Sequence, residues 1–76
     1  MTRHELPAKD PAHKVIVAWD DGMSAFVGVV RDRESGRRRK LVVVPHISDL
    51  KARIRRYAEL DQDIWAKLKA DAGARR

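Results

Sequence analysis

The sequence predicts an α+β fold, with a three-stranded antiparallel β-meander followed by two short C-terminal helices. Three observations support this prediction. β-Branched residues dominate three segments of the chain, VIVAWD, SAFVGVVRD and KLVVVPH. Asp21-Gly22 and Ser35-Gly36 separate these segments and are typical of hairpin turns. After Pro45 the apolar residues recur at helical spacing instead of forming short continuous runs.

The first two strands are expected at residues 15–20 and 24–32, joined by a two-residue turn. A type I′ turn needs positive φ at both central residues, and Asp-Gly accommodates this better than most pairs. With this turn, Trp19 would lie opposite Ser24 and Val17 opposite Phe26.

The third strand is expected at residues 40–46. Pro45 has no N–H to donate to a ladder, so it indicates the end of the strand. A two-residue turn at Ser35-Gly36 would bring oppositely charged residues together, and such cross-strand pairs support the register. The predicted pairs are Asp32 with Arg39, Glu34 with Arg37, Val30 with Leu41, and Val29 with Val42.

Two helices are expected at about residues 48–59 and 62–72. Ser48 and Asp61 are suited to the N-cap positions, where a side-chain oxygen accepts from backbone N–H groups. The apolar residues recur at intervals of three and four, as on one face of a helix. They are Ile47, Leu50, Ile54 and Tyr57 in the first helix, and Ile64, Trp65, Leu68 and Ala72 in the second.

Length and composition limit the chain to one small domain. The sequence has 76 residues and no cysteine, which excludes disulfides and thiolate metal sites. Residues 1–13 contain Pro7 and Pro11 without periodicity and predict a flexible N-terminal tail. The domain would occupy residues 14–73, and residues 74–76 would form a basic C-terminal tail. No segment resembles a membrane span or a secretory signal, so we expect a cytoplasmic protein.

In the predicted register both faces of the sheet are apolar. One face would carry Val15, Val17, Trp19, Phe26, Val30, Leu41 and Val43, and the other Ile16, Ala18, Ala25, Val27, Val29, Val42 and Val44. Two short helices can cover one face, and soluble monomers rarely expose a large apolar patch on the other. We therefore predict an oligomer or partner interface at Ile16, Val27, Val29, Val42 and Val44.

A homodimer is the favoured explanation, since two-fold dimers are the commonest soluble assembly. The alternatives are a different protein on the second face, or helices that wrap both faces. A one-residue slip of one strand is a further alternative, because it would exchange the faces of that strand.

Positive charge is concentrated in one segment of the chain. The formal net charge is +6, and residues 31–40, RDRESGRRRK, contain six basic and two acidic residues. A local basic patch favours nucleic acid or an acidic protein surface as partner. The predicted contact residues are Arg31, Arg33, Arg37, Arg38, Arg39, Lys40, Arg53 and Arg56.

No motif predicts a catalytic, cofactor or metal site. The three histidines, His4, His13 and His46, lack the spacing of metal ligands. Residues 48–51 match S-x-x-K, but the companion motifs of that enzyme class are missing.

We therefore expect a non-enzymatic binding module, and favour a nucleic-acid-binding accessory or regulatory protein that uses its basic hairpin. The alternative is a protein–protein interaction module, an inhibitor or adaptor such as phages and plasmids encode. It would dock through its apolar sheet face or a strand edge.

Overall fold

Four antiparallel strands and two helices make up the computed structural model, which describes residues 2–74. The elements are β1 (Arg3–Leu6), β2 (His13–Asp20), β3 (Ala25–Asp32), β4 (Arg38–Val44), α1 (Ile47–Ile54) and α2 (Gln62–Gly73). The strands form one sheet in the order β1-β2-β3-β4. The α+β class, the antiparallel sheet and the two C-terminal helices are confirmed, but the sheet has four strands rather than three. Among residues 2–74, neither helix is long and apolar enough to cross a membrane.

The additional strand, β1, lies within residues 1–13, so the prediction of a flexible tail is wrong for this segment. Leu6 pairs with Val15 and is only 1% exposed, as in a core residue. His4 Nε2 lies 2.7 Å from Asp71 Oδ2, which ties β1 to α2. The polar residues of β1 have little intrinsic strand preference, and pairing with the edge of β2 decides their conformation. Of the predicted C-terminal tail, residues 75 and 76 lie outside the described residues.

The β2–β3 hairpin has a four-residue loop, residues 21–24, in place of the predicted two-residue turn. Trp19 pairs with Phe26 and Asp20 with Ala25. The left-handed residue of the loop is Ser24, with φ of 48°. The strands are therefore displaced by two residues from the predicted register, and a shift of two leaves every side chain on its predicted face.

The β3–β4 hairpin is displaced by one residue from the predicted register. Val30 pairs with Lys40 instead of Leu41, and Arg31 pairs with Arg38. Arg39 is thus the extra residue of a β-bulge, which shifts the ladder between the two pairs. A shift of one residue exchanges the two faces of β4.

This exchange corrects the predicted interface. Val42 and Val44 were expected on the uncovered face, but they are 3% and 9% exposed and belong to the core. Leu41 and Val43, expected beneath the helices, are 48% and 45% exposed on the opposite face. The alternative of a one-residue slip in one strand is the one that the structure adopts.

Both helices pack on the same face of the sheet, which we call the covered face. The buried core between the layers consists of Leu6, Val15, Val17, Phe26, Val30, Val42, Val44, Leu50, Ile54, Ala58, Trp65 and Leu68. Gly28 lies where α1 approaches β3 most closely, because a Cβ atom there would be 2.8 Å from Ile54 Cδ1 and 2.9 Å from Leu50 Cδ1. The absent side chain at this position lets the helix lie against the sheet.

Local side-chain and backbone contacts determine where each helix begins. Asp61 is the N-cap of α2, as predicted, and its carboxylate accepts from the N–H groups of Asp63 and Ile64. Ser48 is not the cap of α1, since the helix begins at Ile47 after His46, which makes no side-chain cap bond.

Helix α1 ends at Ile54, five residues earlier than expected. The following backbone pairs with the chain after β1, since Lys9 N donates to Tyr57 O at 2.9 Å and Glu59 N donates to Pro7 O at 2.8 Å. Ala58 N still donates to Ile54 O at 3.2 Å, and the helical pattern ends at Glu59, whose N–H donates to Pro7 O instead. The two bonds fix the segment after β1 against the helical layer.

Candidate functional site

The tip of the β3–β4 hairpin is built around the Asp32 carboxylate. Its Oδ1 accepts from Glu34 N at 3.0 Å and from Ser35 N at 3.3 Å, while Oδ2 accepts from Arg39 Nη2 at 3.2 Å. The Arg39 guanidinium holds the pKa of Asp32 below its ordinary value, and the two backbone N–H groups lower it further. Gly36, with φ of 73°, closes the turn. The ion pair of Asp32 with Arg39 forms as predicted, although Arg39 lies in the bulge and not directly opposite Asp32.

Three of the predicted contact arginines are held by other groups of the protein. Arg33 Nη2 lies 2.9 Å from Glu5 Oε2, and its Nε donates to His13 O. Arg31 donates to Gly36 O at 3.1 Å, and Arg39 pairs with Asp32. These contacts position the guanidinium groups at the surface, where the Arg33 side chain stays 48% and the Arg39 side chain 59% exposed.

Arg37 and Arg38 form the most available part of the hairpin. Both are exposed, and neither has an ion pair within residues 2–74. Arg38 lies directly opposite Arg31, and Arg31 lies directly opposite Lys14 on β2. Three cations thus form one row across the sheet, which we call the cationic row. Lys14 Nζ lies 4.0 Å from Glu5 Oε1, a long ion pair at one end of the row. Directly opposed like charges destabilise a sheet, so an anion placed at Arg31 and Arg38 would relieve the repulsion there.

Lys40 connects the hairpin to helix α1. It lies on the covered face, and its Nζ is 5.8 Å from the centre of the Tyr57 ring, a cation–π distance. Tyr57 follows α1 within one turn, so the C-terminal end of α1 lies at the same end of the molecule as the hairpin. This end carries the predicted contact residues Arg53 and Arg56 and also Arg55, all exposed.

The face of the sheet opposite the helices is apolar at its centre. We call it the open face. Two adjacent cross-strand rows consist of Ala18, Val27 and Val43, and of Ile16, Val29 and Leu41. The predicted interface residues Ile16, Val27 and Val29 are therefore on this face, whereas Val42 and Val44 are not. Leu41 and Val43 take their places and are about half exposed.

Charged residues surround the apolar rows. On β1, Arg3 continues the first row beside Ala18, and Glu5 continues the second beside Ile16. The cationic row bounds the hairpin end, and Asp20, paired with Ala25, bounds the other. A shallow groove of about 170 Å³ runs along this face, lined by Arg3, Ile16, Ala18, Val27, Val29 and Arg31.

Aromatic residues are confined to the side of the helices. Trp19 pairs with Phe26 across β2 and β3, with ring centres 4.8 Å apart, and both rings lie on the covered face with Tyr57 and Trp65. These four are all the aromatic residues of the sequence. The open face therefore offers no ring on which a nucleic-acid base could stack.

Sequence reasoning missed Arg3, Lys14, Arg55, Leu41 and Val43. The pairing of Lys14 with Arg31 follows once the four-residue loop of the first hairpin is known. The exposure of Leu41 and Val43 depends on the bulge at Arg39, for which the run RRKLVVV has no local signal. Within residues 2–74, no group of histidine and acidic residues is arranged to hold a metal ion.

Three comparisons with known proteins place no relative beside this chain. No family model matches it, no curated protein matches it, and no solved structure matches it. The arrangement of its own residues is therefore the basis for a functional proposal.

Proposed function

We propose that this protein is a small non-enzymatic module that binds the phosphate backbone of nucleic acid with its hairpin end. The observation behind this proposal is the cationic row Lys14, Arg31 and Arg38, with Arg37 beside it at the tip. Like charges are opposed there across two strand pairs, and the described part of the chain supplies Arg37 and Arg38 with no acidic partner. An extended polyanion satisfies such a surface better than a single small anion does.

Arginines that pair with an acidic residue of the protein and arginines that do not have different roles in this proposal. Arg33 and Arg39 are oriented by Glu5 and Asp32, so they keep a fixed geometry while their guanidinium groups stay exposed. Arg37 and Arg38 are available for direct phosphate contacts. Arginine suits this role because its planar fork matches the geometry of a phosphate.

Binding of this kind has little sequence selectivity. Phosphate contacts fix position but carry no base information, and the open face has no aromatic platform for stacking. The affinity would come mainly from release of counterions and would fall steeply with salt. Arg53, Arg55 and Arg56 extend the basic surface beyond Lys40 and would contact neighbouring phosphates.

Fluorescence anisotropy with a labelled duplex and a labelled single strand tests this proposal. We expect binding at about 50 mM salt and a large loss of affinity at about 200 mM. The double variant Arg37→Glu/Arg38→Glu should weaken binding about tenfold or more and reduce the salt exponent by about two.

The matched control is Lys67→Glu/Lys69→Glu on α2, which makes the same change of net charge outside the hairpin. It should leave the salt exponent almost unchanged. Absence of binding at low salt, a flat salt response, or equal losses in the two double variants would exclude the hairpin as a nucleic-acid site.

A second candidate function is a protein–protein interaction module, an inhibitor or adaptor. The specific observation in its favour is that β4 is an edge strand of seven residues beside an uncovered apolar face. A partner could add a strand to this edge while the arginines steer association toward an acidic surface. In that case charge reversal at Arg37 and Arg38 would slow association and leave the dissociation rate nearly unchanged.

A further inference from the structure

The apolar centre of the open face lacks a cover within residues 2–74, because both helices lie on the other side. Its six residues are Ile16, Ala18, Val27, Val29, Leu41 and Val43. Ala18 is only 3% exposed and Ile16, Val27 and Val29 are half-buried, so the accessible apolar surface comes mainly from Leu41 and Val43. Leu41 and Val43 are 48% and 45% exposed, among the largest exposures of apolar side chains in this structure. Contiguous apolar surface of this kind is typical of an interface and not of a free surface.

The charges around this patch are arranged so that the face complements itself. Arg3 and Glu5 occupy equivalent places at the β1 edge of the two apolar rows. Lys14 and Asp20 occupy equivalent places at the two ends of β2, one row beyond the apolar rows on each side. Arg3 and Lys14 are therefore each matched by an acidic residue at the position obtained by reversing the strand direction, whereas Arg31 is matched by Ala25.

We propose that a second copy of the chain covers the open face, related by a two-fold axis that runs across the strands between the two sheets. This rotation lays each strand on its own copy, reversed end for end. Ala18, Val27 and Val43 then pack on the partner's Ile16, Val29 and Leu41. Arg3 lies over the partner's Glu5, and Lys14 lies over the partner's Asp20.

The other face-to-face two-fold axis runs along the strands and is unfavourable. It keeps the order of the rows and places β2 on the partner's β3. Lys14 would then lie over the partner's Arg31, and the two cationic rows would meet directly. Juxtaposed like charges cost enough to select against that arrangement, so the charges choose between the two axes.

The size of the face fits a reversible dimer. A full rectangle of four strands by four cross-strand rows would measure about 19 by 27 Å, or about 500 Å². β1 reaches only the two central rows, and β4 does not reach the row of Asp20 and Ala25, so the face of each copy is about 400 Å². The pair then buries about 800 Å², the range of a weak and reversible interface. Sheets that pack face to face cross at about 30°, so residues at the edge of the interface are displaced from their partners on the other sheet. Long side chains such as Arg3 can bridge that displacement.

This dimer goes beyond the proposed function and does not depend on it. Lys14 and Arg31 lie inside this interface, so the phosphate contacts of the dimer would be made by Arg37 and Arg38. The hairpin tips extend past the apolar rows and lie at opposite ends of the assembly, with Arg37 outside the interface. A dimer with two such ends could contact two stretches of one polyanion. Failure of nucleic-acid binding would leave the dimer intact, and failure of the dimer would leave the hairpin site intact.

Sedimentation velocity of the full chain, after nuclease treatment, tests the dimer over about a hundredfold range of concentration. We expect a reversible monomer–dimer equilibrium. Val43→Lys should weaken it about tenfold or more, because the charge would be buried between the sheets. Leu60→Lys is the matched control, since Leu60 is 43% exposed outside the sheet, and it should have no effect.

Charge exchange tests the axis. Arg3→Glu alone and Glu5→Arg alone should each weaken self-association, because each creates like-charge pairs across the axis. An equimolar mixture of the two variants should restore association, since the mixed dimer pairs opposite charges at both places. Circular dichroism checks that each variant is folded.

A monomer at every concentration, a dimer unaffected by Val43→Lys, or a mixture without restored association would each overturn the proposal. Stable capture of the monomeric chain by a different protein through this face would overturn it as well.

Discussion

At the scale of single residues, Ser24 has the clearest conformational strain. Its φ of 48° is the one positive φ of a non-glycine residue within residues 2–74. The left-handed region costs an ordinary residue about 1–2 kcal/mol, whereas glycine enters it without strain but loses more backbone entropy on folding. We predict that Ser24→Gly raises the free energy of unfolding by about 0.5–1 kcal/mol.

Urea denaturation followed by tryptophan fluorescence measures this change. Ser35→Gly is the control, because Ser35 has no positive φ and its Oγ accepts from Arg37 N at 3.2 Å. That variant should lower stability. Equal effects of the two substitutions would show that loop entropy, and not the conformation of Ser24, determines the result.

Asp32 gives the hairpin tip a dependence on pH. Its pKa is lowered in the folded protein, mainly by Arg39. Because this pKa is lowered, the ionised carboxylate stabilises the tip fully above the ordinary titration range, near roughly pH 4. This stabilisation is lost as pH falls through the lower pKa of the folded state. We predict that the protection of the Glu34 and Ser35 amides, relative to the intrinsic exchange rate at each pH, falls in that acidic range.

Nuclear magnetic resonance measures those amides as pH falls. Asp32→Asn should remove the acid-dependent step and leave the tip loosened at neutral pH, since the amide cannot pair with Arg39 as a charge does. Asp49→Asn, in the first turn of α1, should leave the step unchanged. A tip that stays equally protected in the Asp32 variant at all pH values would contradict this role.

At the scale of elements, the contact of α1 with β3 depends on Gly28. A Cβ atom there would meet Ile54 Cδ1 at 2.8 Å, and both Ile54 and Leu50 are fully buried, so neither side chain has space to move away. We predict that Gly28→Val lowers the free energy of unfolding by about 1–3 kcal/mol, although valine has the higher strand propensity.

Thermal and urea denaturation measure the Gly28 variant, with Gly73→Ala as its control. Gly73 lies in the last turn of α2, and a Cβ atom added there would have no neighbouring atom within 4 Å. Alanine at this position should therefore be neutral or stabilise by up to about 1 kcal/mol. A Gly28 variant as stable as the native chain would mean that α1 can slide along the sheet.

The elements that have a strong local sequence pattern are the ones that the sequence predicts correctly. Strands β2, β3 and β4 and both helices were predicted, because β-branched runs and helical spacing are strong local signals. Strand β1 was missed, since RHEL has no local strand signal and gains its conformation from the edge of β2. Its one apolar residue, Leu6, identifies the buried side only after the pairing is known.

The register of β4 could not be derived from the sequence for a related reason. In RRKLVVV three valines follow a leucine, so both faces are equally apolar and the pattern does not distinguish them. The bulge at Arg39 decides between the two registers. By contrast, the two-residue error in the first hairpin left the faces of β2 and β3 correct, because side chains alternate with a period of two.

At the scale of the whole molecule, the fold is two layers, one sheet and one pair of helices. The shortest dimension of the molecule, 18 Å, is consistent with a single helical layer on a single sheet. The sequence predicted that two helices would leave one face uncovered, and this holds among residues 2–74. The prediction placed the wrong β4 residues on that face, and two of the five predicted interface residues, Val42 and Val44, belong to the core.

Because the helices cover only one face of the sheet, lysine substitutions at two neighbouring valines of β4 should have very different effects on stability. Val42 is 3% exposed beneath α1, and Val43 is 45% exposed on the open face. We predict that Val42→Lys costs several kcal/mol, because it places an unpaired charge in the core. That is a large part of the stability of a domain of this size, about 4–11 kcal/mol. Val43→Lys should change monomer stability by less than about 0.5 kcal/mol.

Circular dichroism and urea denaturation at low protein concentration distinguish the two variants, since dilution removes any contribution from self-association. Val42→Lys should be largely unfolded or strongly destabilised, while Val43→Lys keeps the native spectrum. The opposite ranking would correspond to the register without the bulge, in which Val43 lies under the helices. Similar losses in both variants at low concentration would mean that Val43 is buried within the single chain.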